Sequence, residues 1–180
     1  MNVLSRRAFV MTGGAAVAAA LGGCAESRDV PLSAADGAAL RLRSVTVDTA
    51  PLRALGLTPW ANLVQASMQP ELDRLFAGRL VPRDKGADRL VARVDSVSLS
   101  SWSGGGGGGR WYSGGGDSDY MDGYAVVIGP DGRERARYHI LLALPSSFSG
   151  AWYLPDIDNR RIIGLSRTFA RWVRDRVPGR

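Results

Sequence analysis

The sequence predicts an α+β fold in which a mixed four-stranded sheet carries two helices on one face, in the order β-α-β-β-β-α. Several short segments alternate apolar and polar residues, as half-buried strands do. Two longer segments repeat apolar residues every three or four positions, which is typical of amphipathic helices. Since the first helix separates the first two strands, we expect those strands to be parallel, with a right-handed crossover between them.

The strands before and after the first helix each contain a change of parity. The first strand is predicted at residues 43–48, and Leu42 just before it has the opposite parity. The second strand begins near Leu90 with one parity and changes to the other before Val97. Each change indicates a β-bulge, which inserts one extra residue and turns the following side chains to the other face.

The first long helix is predicted to have Thr58 as its N-cap and Pro59 at the first helical position. Gly78 indicates its C-terminal end. Pro70 should kink or break the helix, because proline lacks the N–H that a helix interior needs. The core-facing residues share one helical face: Trp60, Val64, Met68, Leu72, Leu75 and Phe76.

A hairpin and a second helix complete the predicted fold. The turn sequence Gly129-Pro130-Asp131-Gly132 lies between strands at residues 124–128 and 133–144. The last helix is predicted to start at a cap formed by Asp158 or Asn159.

This last helix has an apolar face and a basic face. The apolar face consists of Ile162, Leu165, Phe169, Trp172, Val173 and Val177. The opposite face carries Arg160, Arg167, Arg171 and Arg174. Two interpretations stay open: a solvated face opposite the core, or an arginine stripe that binds anionic head groups or an acidic partner. Alternate residues of the fourth strand are basic and should lie on the face of the sheet away from the helices, which makes that face basic as well. They are Arg133, Arg135, Arg137 and His139.

A glycine-rich loop is predicted from Trp102 to Asp119, with its glycine-rich part at residues 103–116. Glycine loses the most conformational entropy on ordering, so we expect this loop to be mobile until a partner binds it. Its large aromatic side chains suit a binding interface: Trp102, Trp111 and Tyr112. The alternative is that these side chains fold back on the domain's own core as a lid.

The first 23 residues have charged residues followed by an uncharged stretch, as a cleaved export signal does. Arg6 and Arg7 precede an uncharged stretch rich in alanine and glycine at residues 8–23. This stretch is too short, and its side chains are too small, to span a bilayer permanently, since a transmembrane helix needs about 20 strongly apolar residues. We therefore expect residues 1–23 to be removed.

The residues at the expected cleavage site, Leu21-Gly22-Gly23-Cys24, resemble the lipobox of bacterial lipoproteins. The resemblance implies that Cys24 takes a diacylglycerol and that its new amino group takes a third, palmitate-like acyl chain. The segment Ser5-Arg6-Arg7-Ala8-Phe9-Val10 resembles a twin-arginine signal, with general export as the alternative. Ala25 resembles the residue that forwards lipoproteins to the outer membrane. The expected location is therefore the periplasmic side of the outer membrane rather than of the inner membrane.

Length, charge and cysteine content indicate one basic envelope domain after the signal is removed. We expect a flexible lipidated tether at residues 24–39 and a single domain at residues 40–180. Cys24 is the only cysteine, so the domain has no internal disulfide. The formal net charge is +6, and an exported basic protein meets anionic lipids and wall polymers, so nucleic acid is not an expected partner.

The order of elements, the lipidated start and the segment Gly86-Ala87-Asp88-Arg89-Leu90-Val91 are similar to accessory lipoproteins of lipopolysaccharide assembly and of ABC-type lipid transport. This resemblance implies a membrane-anchored, non-enzymatic binding or assembly module. Its partners would be the bilayer, through acylated Cys24, and an envelope protein or anionic lipid.

The alternative function is an envelope enzyme that acts on wall or lipid material through Asp117, Asp119 and Asp122. A calcium loop is not expected here, because the third acid falls one position late and Ile128 stands where the pattern has glutamate. His139 is the only histidine, which excludes a two-histidine metal site and favours a plain surface residue. We therefore expect no enzymatic activity, no cofactor and no metal site.

Overall fold

The computed structural model describes residues 29–100, 118–151 and 153–178, and it confirms the predicted α+β class. The strands are β1 (Leu42–Asp48), β2 (Asp88–Ser98), β3 (Ser118–Ile128) and β4 (Glu134–Pro145). They form one mixed sheet in the order β1-β2-β3-β4. As predicted, β1 and β2 are parallel, whereas β3 is antiparallel to both β2 and β4.

The helices are α1 (Ala34–Ala38), α2 (Ala50–Ala54), α3 (Thr58–Phe76) and α4 (Ile157–Arg176). The two long helices, α3 and α4, contact each other and the sheet. Short 3₁₀ turns follow α3 at Ala77–Arg79 and β4 at Ser146–Ser149. The hydrophobic pattern does not predict α1 and α2, because five residues are too few to show a helical period.

The core lies between the sheet and the two long helices. Its strand residues show the predicted alternation: Val45, Val47, Leu90, Ala92, Val94, Val97, Ala136, Tyr138, Ile140 and Leu142. Its helical residues are mainly Val64, Met68, Leu72, Phe76, Ile162, Leu165, Phe169 and Val173. Trp172, which the helical period assigns to the apolar face of α4, is instead 37% exposed, because it lies at the edge of that face.

Both predicted parity changes coincide with irregularities in strand pairing. The register of β1 against β2 shifts between Leu42 and Ser44, and that of β2 against β3 shifts between Val94 and Ser96. Gly123 pairs with Val94 at the second shift. A Cβ on Gly123 would overlap the backbone of β2, so a residue without a side chain is required here.

The predicted start and interruption of α3 both need correction. The helix begins at Thr58 itself, Leu57 stands in the capping position, and no side chain caps the helix. Pro70 does not break α3, which runs through it. Met68 and Leu72 on either side of Pro70 are fully buried, and this burial stabilises the helix against the loss of one backbone hydrogen bond.

Two other predicted boundaries are wrong. Helix α4 begins at Ile157, so Asp158 lies inside the first turn and is not the cap. Strand β3 begins at Ser118, so Asp119 is a strand residue and not part of the glycine-rich loop. The rest of that loop, residues 101–117, lies outside the described residues, and its mobility stays a prediction.

Other parts of the chain cover part of each edge of the sheet. At the β1 edge, the Gln69 side chain accepts from the N–H of Val47 at 3.1 Å and donates to the carbonyl of Val45 at 2.9 Å. At the β4 edge, Val30 and Arg137 exchange two backbone hydrogen bonds of 2.9 Å each. The side chain of Gln69 and the backbone of Val30 therefore pair with groups that an edge strand would otherwise expose.

Residues 29–39, which belong to the flexible tether predicted at residues 24–39, pack on the domain. The Val30 bridge fixes this segment to β4. The Ser33 hydroxyl caps α1 by accepting from the N–H of Asp36 at 3.0 Å. Gly37 is buried, and a Cβ there would meet the ring of Pro178.

Glu71 joins the two long helices, and its titration should make stability depend on acidic pH. Its carboxylate accepts a hydrogen bond from Arg74 at 2.8 Å and lies 3.5 Å from Nε of Arg171 on α4. The Arg74 hydrogen bond lowers the pKa of Glu71 against the opposing effect of burial. Because this pKa is lower in the folded protein, the stabilisation is complete above the unfolded value of about 4.3. It is lost as pH falls through the folded value.

We therefore expect the wild type to exceed Glu71→Gln in free energy of unfolding at neutral pH and to have a smaller advantage at about pH 3. Urea unfolding at both pH values measures the difference. Asp175→Asn is the control, since Asp175 is an exposed residue of α4. The same difference at both pH values would contradict the role given to Glu71.

Candidate functional site

The face of the sheet turned away from α3 and α4 is the candidate binding surface. Its side chains are half-buried or exposed, whereas the long helices cover the opposite face. A shallow groove of about 270 Å³ lies on this face. The groove, called here the sheet groove, is lined by Asp48, Val91, Arg93, Asp95, Tyr124, Val126, Ile128, Glu134 and Arg137.

The floor of the sheet groove is apolar and aromatic. Val91 of β2 pairs with Val126 of β3, and Tyr124 precedes Val126 by two residues on the same face. The Arg137 guanidinium lies 5.4 Å from the centroid of the Tyr124 ring. At this distance the cation is attracted to the negative face of the ring, which holds Arg137 over the floor.

The rim of the sheet groove carries charges of both signs. Arg93 lies 2.7 Å from Asp95, and Arg137 lies 2.6 Å from Glu134. The Asp95 hydrogen bond raises the pKa of Arg93. The predicted basic face therefore needs correction, because neighbouring carboxylates in this region offset the charges of its arginines.

His139 lies at the surface, as predicted, but it has defined partners. Its Nε2 is 2.6 Å from a carboxylate oxygen of Asp122, and its ring centroid is 5.1 Å from that of Tyr124. Its backbone N–H donates to the Asp29 side chain at 2.6 Å. Asp122, one of the three carboxylates considered for catalysis, is therefore engaged with His139.

A second cluster lies where residues 101–117 connect β2 to β3, and we call it the loop-base cluster: Ser100, Asp119, Asp158 and Arg161. Arg161 of α4 donates to Asp119 through Nε at 2.7 Å and to the carbonyl of Ser100 at 2.9 Å. Asp158 accepts from Arg161 at 3.1 Å. Arg161 and Asp119 are each only 2% exposed. The Asp119 hydrogen bond raises the pKa of Arg161.

Ser100 holds the two ends of this connection together. Its N–H donates to Asp119 at 3.0 Å, and its hydroxyl donates to the carbonyl of Ser118 at 2.8 Å. One residue of α4, Arg161, thus fixes the end of β2 to the start of β3. Asp119 therefore has a structural role in joining these elements.

The arginine stripe predicted on α4 is on its solvent side, but most of it has contacts within the chain. The partners are Asp156 for Arg160, Glu71 for Arg171 and the Phe76 ring for Arg174. Arg167 is exposed, and within the described ranges it has no ion pair. The stripe therefore stays a second candidate surface, with fewer available charges than the sequence indicates.

Comparison with known proteins does not assign a family: no family model matches this sequence, and no curated protein is significantly similar to it. Within residues 29–100, 118–151 and 153–178, no helix is long and apolar enough to cross a membrane. The same part of the chain has no group of three side chains suited to hold a metal ion. Several predicted functional residues lie outside the described part of the chain: Cys24, Trp102, Trp111, Tyr112 and Asp117.

Proposed function

We propose that this protein is a bacterial envelope lipoprotein, held on the periplasmic side of a membrane by acylated Cys24, that acts as a non-enzymatic binding or assembly accessory module. The residues Leu21-Gly22-Gly23 before Cys24 support the anchor. Ala25 favours the outer membrane over the inner membrane. The sheet groove is the observation that carries the binding role.

The sheet groove has the composition of a protein interface. Such interfaces place apolar and aromatic side chains at the centre and polar side chains at the rim. Tyrosine and arginine often supply much of the binding energy. In this chain Val91, Tyr124 and Val126 form the floor, and the ion pairs of Arg93 and Arg137 form the rim. The partner that fits is an envelope protein with a small apolar patch bordered by charges of both signs.

A binding role also agrees with how the described carboxylates are used. Asp119 is buried against Arg161, and Asp122 is bound to His139. Both carboxylates therefore stabilise the fold or the surface of the sheet. The proposal assigns a catalytic role to neither of them.

Photo-crosslinking in intact cells tests whether the sheet groove is the contact surface. A photoreactive phenylalanine analogue replaces Tyr124 in the groove or, as a matched control, Arg167 on the exposed side of α4. We expect light to link one envelope protein to position 124 and little to position 167, as read by gel shift and mass spectrometry. Cross-linking from Arg167 alone would move the binding surface to the arginine stripe. Cross-linking from neither position would contradict the proposal.

A further inference from the structure

Five basic residues lie together at the corner of the sheet where β1 and β2 begin, and we call this group the basic corner: Arg41, Arg43, Arg83, Lys85 and Arg89. Three of them, Arg41, Arg83 and Lys85, are exposed, and the other two are half-buried. None of the five lines the sheet groove, and none belongs to α4. The basic corner is therefore a surface separate from both candidates described above.

Backbone pairing brings these five residues together. Leu42 of β1 pairs with Asp88 of β2 on one side and forms a bridge to Leu80 on the other. Residues 81–87 form the loop that connects these two neighbours of Leu42. The basic residues flank Leu42, follow Asp88 or lie within the loop. Since neighbouring strands lie about 4.8 Å apart, all five are carried by adjacent segments of backbone.

The loop of the basic corner has a defined backbone. The N–H of Asp84 donates to the carbonyl of Val81 at 2.9 Å. The Asp84 carboxylate accepts from the N–H of Gly86, also at 2.9 Å. These hydrogen bonds hold the part of the loop that carries Arg83 and Lys85, so both charges are positioned before a partner binds.

The positive charge of the basic corner is not neutralised within the described part of the chain. None of its five cations forms an ion pair there, whereas most other described arginines do, as Arg93 and Arg137 show. The same segments contain two carboxylates. Asp88 is buried and bound to Arg135 at 2.6 Å, and Asp84 stabilises its own loop. Clustered cations without countercharges give this corner a positive potential, which attracts anions.

We infer that the basic corner binds the phosphate head groups of an anionic bilayer surface. Four of its five cations are arginines, whose planar guanidinium groups suit phosphate oxygens. Clusters of four to eight basic residues are attracted to anionic lipids. Protein interfaces usually have apolar or aromatic side chains at their centre, but the exposed large apolar side chains of the described chain all lie outside these segments. Head groups are therefore favoured over an acidic protein, and the inference depends neither on Cys24 nor on the sheet groove.

Vesicle flotation of the mature chain, residues 24–180 with Cys24→Ala, tests the basic corner without the help of an acyl chain. The anionic vesicles contain phosphatidylethanolamine and phosphatidylglycerol, and phosphatidylcholine vesicles are the neutral comparison. The test variant adds Arg41→Gln, Arg83→Gln and Lys85→Gln, all at exposed positions.

The matched control variant removes the same charge from exposed positions of the arginine stripe on α4. It adds Arg160→Gln, Arg167→Gln and Arg171→Gln to the same Cys24→Ala chain. Equal net charge in the two variants separates the effect of the basic corner from that of overall charge. Circular dichroism should show that both variants remain folded.

We expect the Cys24→Ala chain to float with anionic vesicles at low salt and to bind neutral vesicles only weakly. High salt should release it, because salt screens exposed charges. One Lys or Arg near an anionic surface changes partitioning about fivefold, so the test variant should bind at least about tenfold less. The control variant should stay within about threefold of the Cys24→Ala chain.

Three results would overturn the inference. The first is that the Cys24→Ala chain does not bind anionic vesicles. The second is that the test variant binds as well as its parent, or that the control variant loses as much binding as the test variant. The third is that a photoreactive analogue at Lys85 links to an acidic envelope protein while vesicles are not bound, which would assign the basic corner to a protein partner. None of these results bears on the cross-linking test of the sheet groove.

Discussion

Replacing Arg161 with methionine is expected to lower the free energy of unfolding by about 3 to 5 kcal/mol. Arg161 and Asp119 form an ion pair, and each is only 2% exposed. The change therefore leaves the carboxylate of Asp119 buried without its countercharge. It also removes hydrogen bonds to Ser100 and Asp158. Thermal unfolding followed by circular dichroism should show a melting temperature lower by roughly 10 °C for a domain of this length.

Arg160→Met is the matched control for this prediction, because Arg160 is the preceding residue but is exposed. It should change stability by no more than about 0.5 kcal/mol. Combining Arg161→Met with Asp119→Leu should recover much of the loss, because two apolar side chains need no countercharge. If the Arg160 and Arg161 variants were equally stable, the loop-base cluster would not have the role described.

Cys24→Ala is expected to release the protein from the membrane fraction into the periplasmic fraction. Two or three acyl chains hold a protein on a bilayer at about 0.8 kcal/mol per buried CH₂, and a few apolar side chains cannot replace them. Cell fractionation with a high-salt wash measures the release, and mass spectrometry of the N-terminal peptide checks acylation.

Leu141→Ser is the control for this release, since it removes an exposed apolar side chain but keeps the lipid. It should stay in the membrane fraction. A Cys24→Ala protein that remains membrane-bound after the salt wash would show that the anchor lies elsewhere in the chain.

The strands and long helices were predictable from the sequence because each carries a strong local period. The parity changes at Leu42 and before Val97 even indicated two of the three shifts in strand register. Helix ends and interruptions were less predictable, because tertiary burial competes with local signals. Pro70 is the clearest case, since the buried neighbours Met68 and Leu72 keep α3 continuous through it.

The loop-base cluster was missed although the sequence contains two signals for it. Arg161 lies four residues before Leu165, on the apolar face of α4, where an arginine needs a buried partner. Asp119 shares the inward parity of Met121 on β3. Assigning Asp119 to the glycine-rich loop concealed that parity, so the pair could not be recognised without the true start of β3.

Helix α1 also had a readable signal. Ser33 stands three residues before Asp36, and in the structure the Ser33 hydroxyl caps the helix. The sequence could not show that this short helix packs on the domain. That depends on the distant residue Pro178, which lies against Gly37.

The contacts along the two edges of the sheet affect how copies of this protein behave toward one another. An uncovered edge strand is a template on which a second chain can add a strand, and this is a common route to aggregation. Gln69 on the β1 edge and Val30 on the β4 edge occupy backbone groups that such a chain would use. If copies are anchored on one membrane as proposed, these contacts would oppose edge-to-edge self-association. The proposed partner would then be selected by the side chains of the sheet face and not by addition of a strand.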